Sequence, residues 1–281
     1  MTLGLSQAAH EEYIDGYGGL RIFLRSWRPA AVRGVVVIVH GFNSHGEYYG
    51  WTAGKLVEDG LAVYALDLRG RGKSDGERYY VQDAAEYIND VARVVTLARS
   101  RDAGVPAFVL GHSAGGVISC LYTLDHPGEV DGLICESFAH ELPAPDLAIT
   151  VLKGLSHVAP HAHVLRLKID DFSRDPAVIA AMKADPFVGD EVQPTHTIAE
   201  MVRVNERLGR DFSQITLPVL ILHGTTDKVT LATGSQAFYD HAGSKDKTLK
   251  LYEGHAHDLL NDYGKDQVIG DIRQWISRRL A

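Results

Sequence analysis

Short aliphatic runs recur along this sequence, and most are followed by a longer stretch with helical periodicity. The runs are apolar at consecutive positions, which is typical of strands that are buried on both faces of a parallel sheet. Strands that alternate with helices predict βαβ units, and therefore an α/β fold with a doubly wound, mostly parallel sheet. The predicted strands are residues 35–39, 62–66, 107–110, 132–135, 219–222 and 248–252, and the clearest predicted helices are 84–100, Ala114–Asp125 and 235–241.

The alternation is interrupted once, between the fourth and fifth of these strands. Residues 140–213 contain six prolines and no strong aliphatic run, so they predict short helical pieces rather than sheet. We therefore expect a sheet core made of residues 1–139 and 214–281, with residues 140–213, which we call the insertion, forming a helical cap. Residues 12–27, which contain three glycines near their centre, predict an antiparallel hairpin ahead of the parallel strands.

Charge and composition exclude several classes of protein. The net charge of −8 would repel phosphate backbones, so nucleic acid is not an expected partner. The first twelve residues lack the features of a signal peptide, and no apolar run approaches the ~18 residues of a membrane span. Two cysteines in 281 residues do not make a disulfide framework, so we expect Cys120 and Cys135 to be reduced in a soluble cytoplasmic protein.

The most informative motif is Gly111-His112-Ser113-Ala114-Gly115, which has the form G-x-S-x-G. It follows a predicted strand and precedes a predicted helix, the context that a nucleophile elbow requires. The turn at such an elbow is tight, so the residues two positions away on each side of the serine must be small. The motif therefore predicts that Ser113 is a nucleophile aimed away from the sheet, with the first amides of the helix beside it.

A serine nucleophile needs a base and an acid that orients the base. In this kind of fold both follow the serine, on loops at the carboxyl ends of later strands. The loop after 219–222 contains Asp227, and the loop after 248–252 contains His255 and His257. Glu136 ends an earlier strand, so position alone leaves two candidate acids and two candidate bases.

The reaction also needs two amides to hold the oxyanion. One should be the N–H of Ala114, directly after the nucleophile, and the other should come from the loop that follows the first parallel strand. That loop begins His40-Gly41-Phe42, and we predict the Phe42 N–H as the second donor.

With these motifs in place, the sequence resembles the monoacylglycerol lipase and lysophospholipase branch of the α/β hydrolases. The resemblance spans nearly the whole chain, and its motifs include residues 67–76, Gly111-His-Ser-Ala-Gly-Gly, His223-Gly-Thr-Thr-Asp227 and the stretch that ends in His257. It implies an α/β-hydrolase fold and an esterase that uses Ser113, Asp227 and His257, without a cofactor or a metal. It also implies that the insertion caps an acyl-binding pocket, with substrate contacts expected from His112, Ser44, Tyr48 and Leu152.

The sequence departs from the family near the oxyanion loop. Members commonly read H-G-x-x-E-H-x-x-R-Y after the first parallel strand, whereas this chain has Ser44 in place of the glutamate and Tyr48 in place of the arginine. A site that reads hydroxyls through charged groups discriminates strongly between alcohols. The loss of both charges predicts a carboxylesterase with broad alcohol tolerance, for which a monoacylglycerol is one substrate among several.

Other interpretations stay open at this stage. The same residues could serve a strict monoacylglycerol lipase, a lysophospholipase, an amide or peptide hydrolase, or a ligand-binding protein without activity. The glycines and lysine at 70–73 do not form a phosphate loop, because Asp67 stands where a glycine is needed. His157, His161 and His163 lack the further ligands of a zinc site. The segment Asp146–Val158 is apolar enough either to pack within the cap or to touch a lipid surface transiently.

Overall fold

The computed structural model describes residues 8–143 and 146–280, without the side chains of residues 146–149. In the described part, eight strands form one sheet: β1 His10–Asp15, β2 Arg21–Trp27, β3 Gly34–Val39, β4 Leu61–Leu66, β5 Ala107–His112, β6 Gly132–Glu136, β9 Val219–Gly224 and β10 Lys247–Tyr252. Their order across the sheet is β1-β2-β4-β3-β5-β6-β9-β10. β1 and β2 are antiparallel, β2 is antiparallel to β4, and all further pairs in this sheet are parallel. The predicted α/β fold is confirmed.

Helices cover both faces of this sheet. Alternate residues of β3 point to opposite layers, with Val35, Val37 and Val39 in one hydrophobic cluster and Val36 and Ile38 in the other. Every residue of β3 is buried, which explains why the strand is apolar throughout. Each fully buried Val or Ile contributes roughly 1.5–3 kcal/mol. The helices are α1 Gly50–Val57, α2 Ala85–Arg101, α3 Ala114–Asp125, α7 Ala232–His241 and α8 Lys265–Ser277.

Between β6 and β9 the chain leaves the sheet. It forms helices α4 Asp146–Val158, α5 Pro176–Ala184 and α6 Thr195–Asp211, together with a small antiparallel sheet of β7 His163–Leu165 and β8 Gln193–Pro194. The sequence did not predict β7 and β8, because strands of three and two residues carry no readable periodicity. Among the described helices, none is both long and apolar enough to cross a membrane.

A buried ion pair fastens the insertion to the sheet core. The guanidinium of Arg71, in the loop after β4, contacts the Glu191 carboxylate and donates to the Gln193 side-chain oxygen at 2.7 Å. All three side chains are buried. The same guanidinium lies over the Phe42 ring, 4.0 Å from its centroid. Arg71 therefore links the insertion, the loop after β4 and the oxyanion loop.

Removing one partner of this pair should be far more costly than removing both. Arg71→Met leaves the Glu191 carboxylate buried without its cation, so we expect the free energy of unfolding to fall by about 3–5 kcal/mol. Arg71→Met combined with Glu191→Met removes both charges and should recover most of that loss. Urea denaturation of the wild type, the two single variants and the double variant measures the difference. Equal stability of Arg71→Met and the wild type would contradict this account of the interface.

Candidate active site

Ser113 occupies a strained turn between β5 and α3. Its backbone has φ 54° and ψ −120°, a region that residues with a Cβ rarely adopt. A Cβ on Gly115 would lie 2.1 Å from the Val39 carbonyl oxygen, and a Cβ on Gly111 would lie 2.5 Å from the Gly115 oxygen. Only glycine fits at these two positions, so the turn has the geometry of a nucleophile elbow.

Other strained residues gather at the same edge of the sheet. Four described residues other than glycine have positive φ, and three of them are Asn43, Ser113 and Ser137, with φ of 53°, 54° and 48°. Asn43 follows Phe42 in the oxyanion loop, and Ser137 directly follows β6. Such conformations cost on the order of 1–3 kcal/mol each and tend to cluster at functional sites. Their positions mark the carboxyl edge of β3, β5 and β6 as the functional edge.

Asp227 and His257 meet at this edge, on the loops after β9 and β10. Nδ1 of His257 lies 2.7 Å from Oδ2 of Asp227, and both side chains are buried. A carboxylate accepts hydrogen bonds, so Nδ1 carries the proton and Nε2 is left as the basic nitrogen. Nε2 is buried and has no partner among the described residues, and no hydrogen bond joins it to the Ser113 hydroxyl. That contact is commonly long before substrate binds.

The Asp227 carboxylate is ionised. Burial alone would raise its pKa, but His257 and His223 outweigh burial and hold the pKa of Asp227 well below its usual value. Oδ1 accepts the backbone amides of Val229 and Thr230 at 2.8 and 3.0 Å. Oδ2 accepts the Thr230 hydroxyl at 2.9 Å. The negative charge is therefore fixed in place beside His257.

The rival acid Glu136 has a different environment. Its side chain is fully buried, and Oε1 accepts the Leu260 amide at 3.0 Å, in the turn that follows His257. Burial and the nearby Asp258 carboxylate raise the pKa of Glu136 well above its usual value. Glu136 thus contacts the loop of His257 rather than its ring, and its raised pKa makes it a poorer anion than Asp227.

The rival base His255 faces away from Asp227. Burial and the Arg174 guanidinium lower the pKa of His255, with Asp262 opposing them. Its ring lies against Tyr252, with 5.5 Å between centroids, and only its backbone oxygen contacts the Asp227 loop, by accepting from Thr226. The geometry thus favours Asp227 and His257 over both rivals.

Behind His257 lies a buried polar cluster formed by His112, Glu136 and Asp258. One ligand atom from each lies within 4.8 Å of the others, an arrangement that invites comparison with a metal site. Burial lowers the pKa of His112 well below its usual value, and it raises the pKa of Asp258 to about 6. These shifts, together with the raised pKa of Glu136, favour the uncharged form of each side chain, so burial opposes a charged cluster here.

Phe42 and Ala114, the two residues predicted to supply the oxyanion amides, line the same cavity as Ser113. Ala114 is the first residue of α3, where an amide has no partner within the helix. Neither amide has an acceptor among the described residues. Two free amides beside a serine are what an oxyanion requires.

The rest of the cavity wall is mainly apolar and comes largely from the insertion. Asn205 and Thr230 add polar groups to it, and its apolar side chains include Leu142, Leu165, Leu167, Ile198, Met201 and Val202. This wall suits an acyl chain. On α4, Val151, Leu155 and Val158 are exposed, Val158 by 84%. Contact between this stripe and a lipid surface stays a prediction.

Four residues expected to contact substrate do not line this cavity. His112 is buried in the cluster behind His257, and Ser44 is buried in the oxyanion loop. Tyr48 lines a separate hollow, where its hydroxyl donates to Asp185 at 2.9 Å. Leu152 of α4 is half-buried and packs on the main core. Contact between these four side chains and a substrate stays a prediction.

Comparisons with known proteins agree with this geometry. Residues 30–264 match the family described as "Serine aminopeptidase, S33". The chain is 35% identical to the monoacylglycerol lipase of Mycolicibacterium smegmatis, over 98% of this chain and 100% of that protein. It is 29% identical to the caffeoylshikimate esterase of Arabidopsis thaliana, over 92% of this chain and 83% of that enzyme.

The fold is also similar to that of a soluble variant of the Saccharomyces cerevisiae monoglyceride lipase, solved in complex with a substrate analog. The TM-score is 0.90 at 23% identity, covering 100% of this chain and 99% of that one. This chain is a monoacylglycerol lipase-like α/β hydrolase. It is accordingly a lipase-like ester hydrolase of the serine class, and the resemblance seen in its motifs is confirmed.

Some side chains of this lipase-like site were not predicted. The sequence did not single out Thr230, which donates to Asp227, or Ser137, whose hydroxyl donates to the His257 carbonyl oxygen at 2.5 Å. It also gave no role to His223, whose Nε2 lies 3.1 Å from Asp227. A signal was present, because His223 lies near the end of β9, four residues before Asp227. Strand position alone does not show what a buried side chain touches.

Replacing each carboxyl group by its amide should show whether Asp227 or Glu136 is the acid that orients His257. In Asp227→Asn the amide favours the wrong imidazole tautomer, so we expect kcat for a simple ester to fall by about 10⁴-fold. Glu136→Gln imitates the protonated carboxyl and can still accept the Leu260 amide, so its kcat should stay within about tenfold of the wild type. Circular dichroism and thermal melts control for folding. A crippled Glu136→Gln beside a mild Asp227→Asn would reverse the assignment.

Proposed function

We propose that this protein hydrolyses carboxylic esters through an acyl-enzyme on Ser113, with His257 as general base and Asp227 as the acid that orients it. The observation that carries the proposal is the 2.7 Å hydrogen bond from His257 Nδ1 to an ionised, buried Asp227. It leaves Nε2, which has no hydrogen-bond partner among the described residues, as the basic ring nitrogen at the edge of the sheet from which Ser113 projects. Phe42 and Ala114 supply the oxyanion amides.

The reaction proceeds in two halves. Ser113 Oγ attacks the acyl carbon, its proton passes to Nε2 of His257, and the carbonyl oxygen becomes an oxyanion held by the Phe42 and Ala114 amides. The imidazolium then gives that proton to the alcohol oxygen as the C–O bond breaks, leaving acyl-Ser113. A water molecule next gives a proton to His257 and its oxygen to the acyl carbon. The Ser113 oxygen leaves, and it takes the proton back.

The insertion, with residues 140–213 as a cap, supplies the acyl site in this proposal. Six apolar side chains of the insertion line the cavity at Ser113. Apart from Ser113, the polar residues among those that line this cavity are Asn205 and Thr230. Burying an acyl chain against them contributes about 0.8 kcal/mol per methylene. Phe172 of the insertion also packs edge-on against the His257 ring, with 5.1 Å between centroids. The cap therefore both receives the acyl chain and limits the movement of the base.

Hydrolysis of N-terminal peptide bonds is the second candidate, because the matched family is described as a serine aminopeptidase. An aminopeptidase must hold the substrate's ammonium group, and a carboxylate is the usual partner for that charge. Among the described residues that line the cavity at Ser113, none is acidic. The cavity thus favours an uncharged, apolar acyl group.

Removing the nucleophile tests the reaction directly. Ser113→Ala should lose nearly all turnover of an ester while keeping the fold, because no alcohol remains to form the acyl-enzyme. A residual rate of ~10³-fold over water is compatible with the oxyanion donors alone. A fluorophosphonate probe should label the wild type and not the variant, as measured by intact mass. Full activity in Ser113→Ala, or equal labelling of both proteins, would end the proposal.

We propose further that alcohol selectivity is broad. Ser44 and Tyr48 replace a glutamate and an arginine that the family commonly carries, and neither lines the cavity at Ser113. The Tyr48 hydroxyl is already bound to Asp185, which His45 also contacts at 2.8 Å. Few polar groups thus remain to hydrogen-bond the glycerol hydroxyls of a monoacylglycerol. An apolar site discriminates only weakly between esters of different alcohols.

Selectivity is measured by kcat/KM for a monoacylglycerol and for the methyl ester of the same fatty acid. We expect a preference below ~100-fold, the limit of what an apolar pocket supplies. The two esters have similar leaving groups, so the ratio reports recognition of the glycerol hydroxyls. A preference for the monoacylglycerol far above that limit would show that other residues bind those hydroxyls, and it would refute broad tolerance while leaving the esterase proposal intact.

A further inference from the structure

Asp227 is bound by a second histidine. His223 lies near the end of β9, with Nε2 3.1 Å from Oδ2 of Asp227, the oxygen that His257 also contacts. On its other side, Nδ1 of His223 lies 2.7 Å from the hydroxyl of Ser235 in α7. His223 and Ser235 are fully buried. A continuous chain of contacts therefore runs from α7 through β9 to the base.

The partners of His223 indicate its tautomer. In a neutral imidazole one ring nitrogen donates and the other accepts. Nε2 faces a carboxylate, which only accepts, so the proton is on Nε2. Nδ1 is then an acceptor, and the Ser235 hydroxyl donates to it. Ser235 thus selects the tautomer in which His223 donates to Asp227.

Several donor groups consequently surround the charge of Asp227. Nδ1 of His257 and the Thr230 hydroxyl are hydrogen-bonded to Oδ2, and Nε2 of His223 lies 3.1 Å from the same oxygen. Each added donor stabilises the carboxylate and weakens its attraction for the proton on His257. A second imidazole beside Oδ2 also resists rotation of the carboxyl group away from Nδ1 of His257.

We propose that His223 is a positioning residue of the reaction, which holds Asp227 in line with His257 and moderates how strongly Asp227 attracts the protonated base. The inference rests on the proposed function. It predicts that His223 affects the acid side of the pH profile as well as the rate. The other titratable groups near His257 are His112, Glu136 and Asp258. None of these is altered in the test below.

The test compares three variants by their pH profiles of kcat/KM and by kcat and KM. His223→Leu removes the donor, so the acidic limb should move upward by about 0.5–1 pH unit as Asp227 attracts the imidazolium more strongly. Its kcat should fall roughly 10–100-fold with KM little changed, as when a supporting partner of a reactive group is lost. Ser235→Ala should move the limb in the same direction by a smaller amount. His223→Gln restores an N–H near the position of Nε2 and should keep a limb close to that of the wild type.

A matched control separates this effect from general destabilisation. Ile221 lies on β9, two residues before His223 and on the same face of the strand. Ile221→Ala creates a cavity in the core and leaves the contacts of Asp227 unchanged. Its melting temperature should fall while the acidic limb stays in place. If Ile221→Ala moves the limb as His223→Leu does, the effect is structural and the inference fails.

The remaining outcomes are also decisive. The inference is overturned if the acidic limb of the kcat/KM profile stays at its wild-type position in both His223→Leu and Ser235→Ala. It is also overturned if the acidic limb of His223→Gln moves as far as that of His223→Leu. If His223→Leu does not fold, Ser235→Ala and His223→Gln still carry the comparison. The low-field proton resonance of the His257–Asp227 hydrogen bond gives a readout without substrate, and it should shift in His223→Leu. Wild-type protein without activity on any ester would refute the proposed function, whereas an unmoved limb in active variants refutes only the role of His223.

Discussion

The buried carboxylate of Asp227 is the group on which the rest of the site depends. An ionised side chain removed from water must have its oxygens hydrogen-bonded, or the free energy of folding suffers severely. Here the donors are two backbone amides and the hydroxyl of the Asp227 loop, together with His223 and His257. Satisfying one charge therefore joins the ends of β9 and β10 and, through Ser235, helix α7.

The strand ends contribute a second set of buried contacts. Glu136 and Ser137, at the end of β6, bind the Leu260 amide and the His257 carbonyl oxygen. The Ser113 amide in turn donates to the Glu136 carbonyl oxygen at 2.9 Å. Ser113 and the loop of His257 are thus both anchored at the end of β6. A rigid support of this kind keeps reacting groups within the narrow range of geometry that catalysis needs.

The insertion is tied to the same edge by different means. Arg71 bonds with Glu191 and Gln193 of the insertion while it lies over the ring of Phe42. Phe172 touches the ring of His257. The insertion is therefore in contact with both the loop that carries Phe42 and the ring of His257, and a change in its position would alter both contacts.

Periodicity and short-range motifs were sufficient to predict the sheet, the elbow at Ser113 and the loops that carry Asp227 and His257. These features depend on local patterns: consecutive apolar residues for buried strands, and glycine where a Cβ would strike the Val39 or Gly115 carbonyl. β7 and β8 escaped prediction because their pairing is made by residues about thirty positions apart in the chain, and neither strand is long enough to show a pattern.

The sequence by itself determined the fold and the chemical class, because an α/β sheet and a nucleophile elbow follow from spacing along the chain. Only the tertiary structure decided which carboxylate contacts His257, that burial raises the pKa of Glu136, that the Tyr48 hydroxyl is bound to Asp185 and that His223 also lies beside Asp227. The physical reason is that ionisation and hydrogen bonding depend on burial and on partners from distant segments. Neighbours in sequence do not specify either of these.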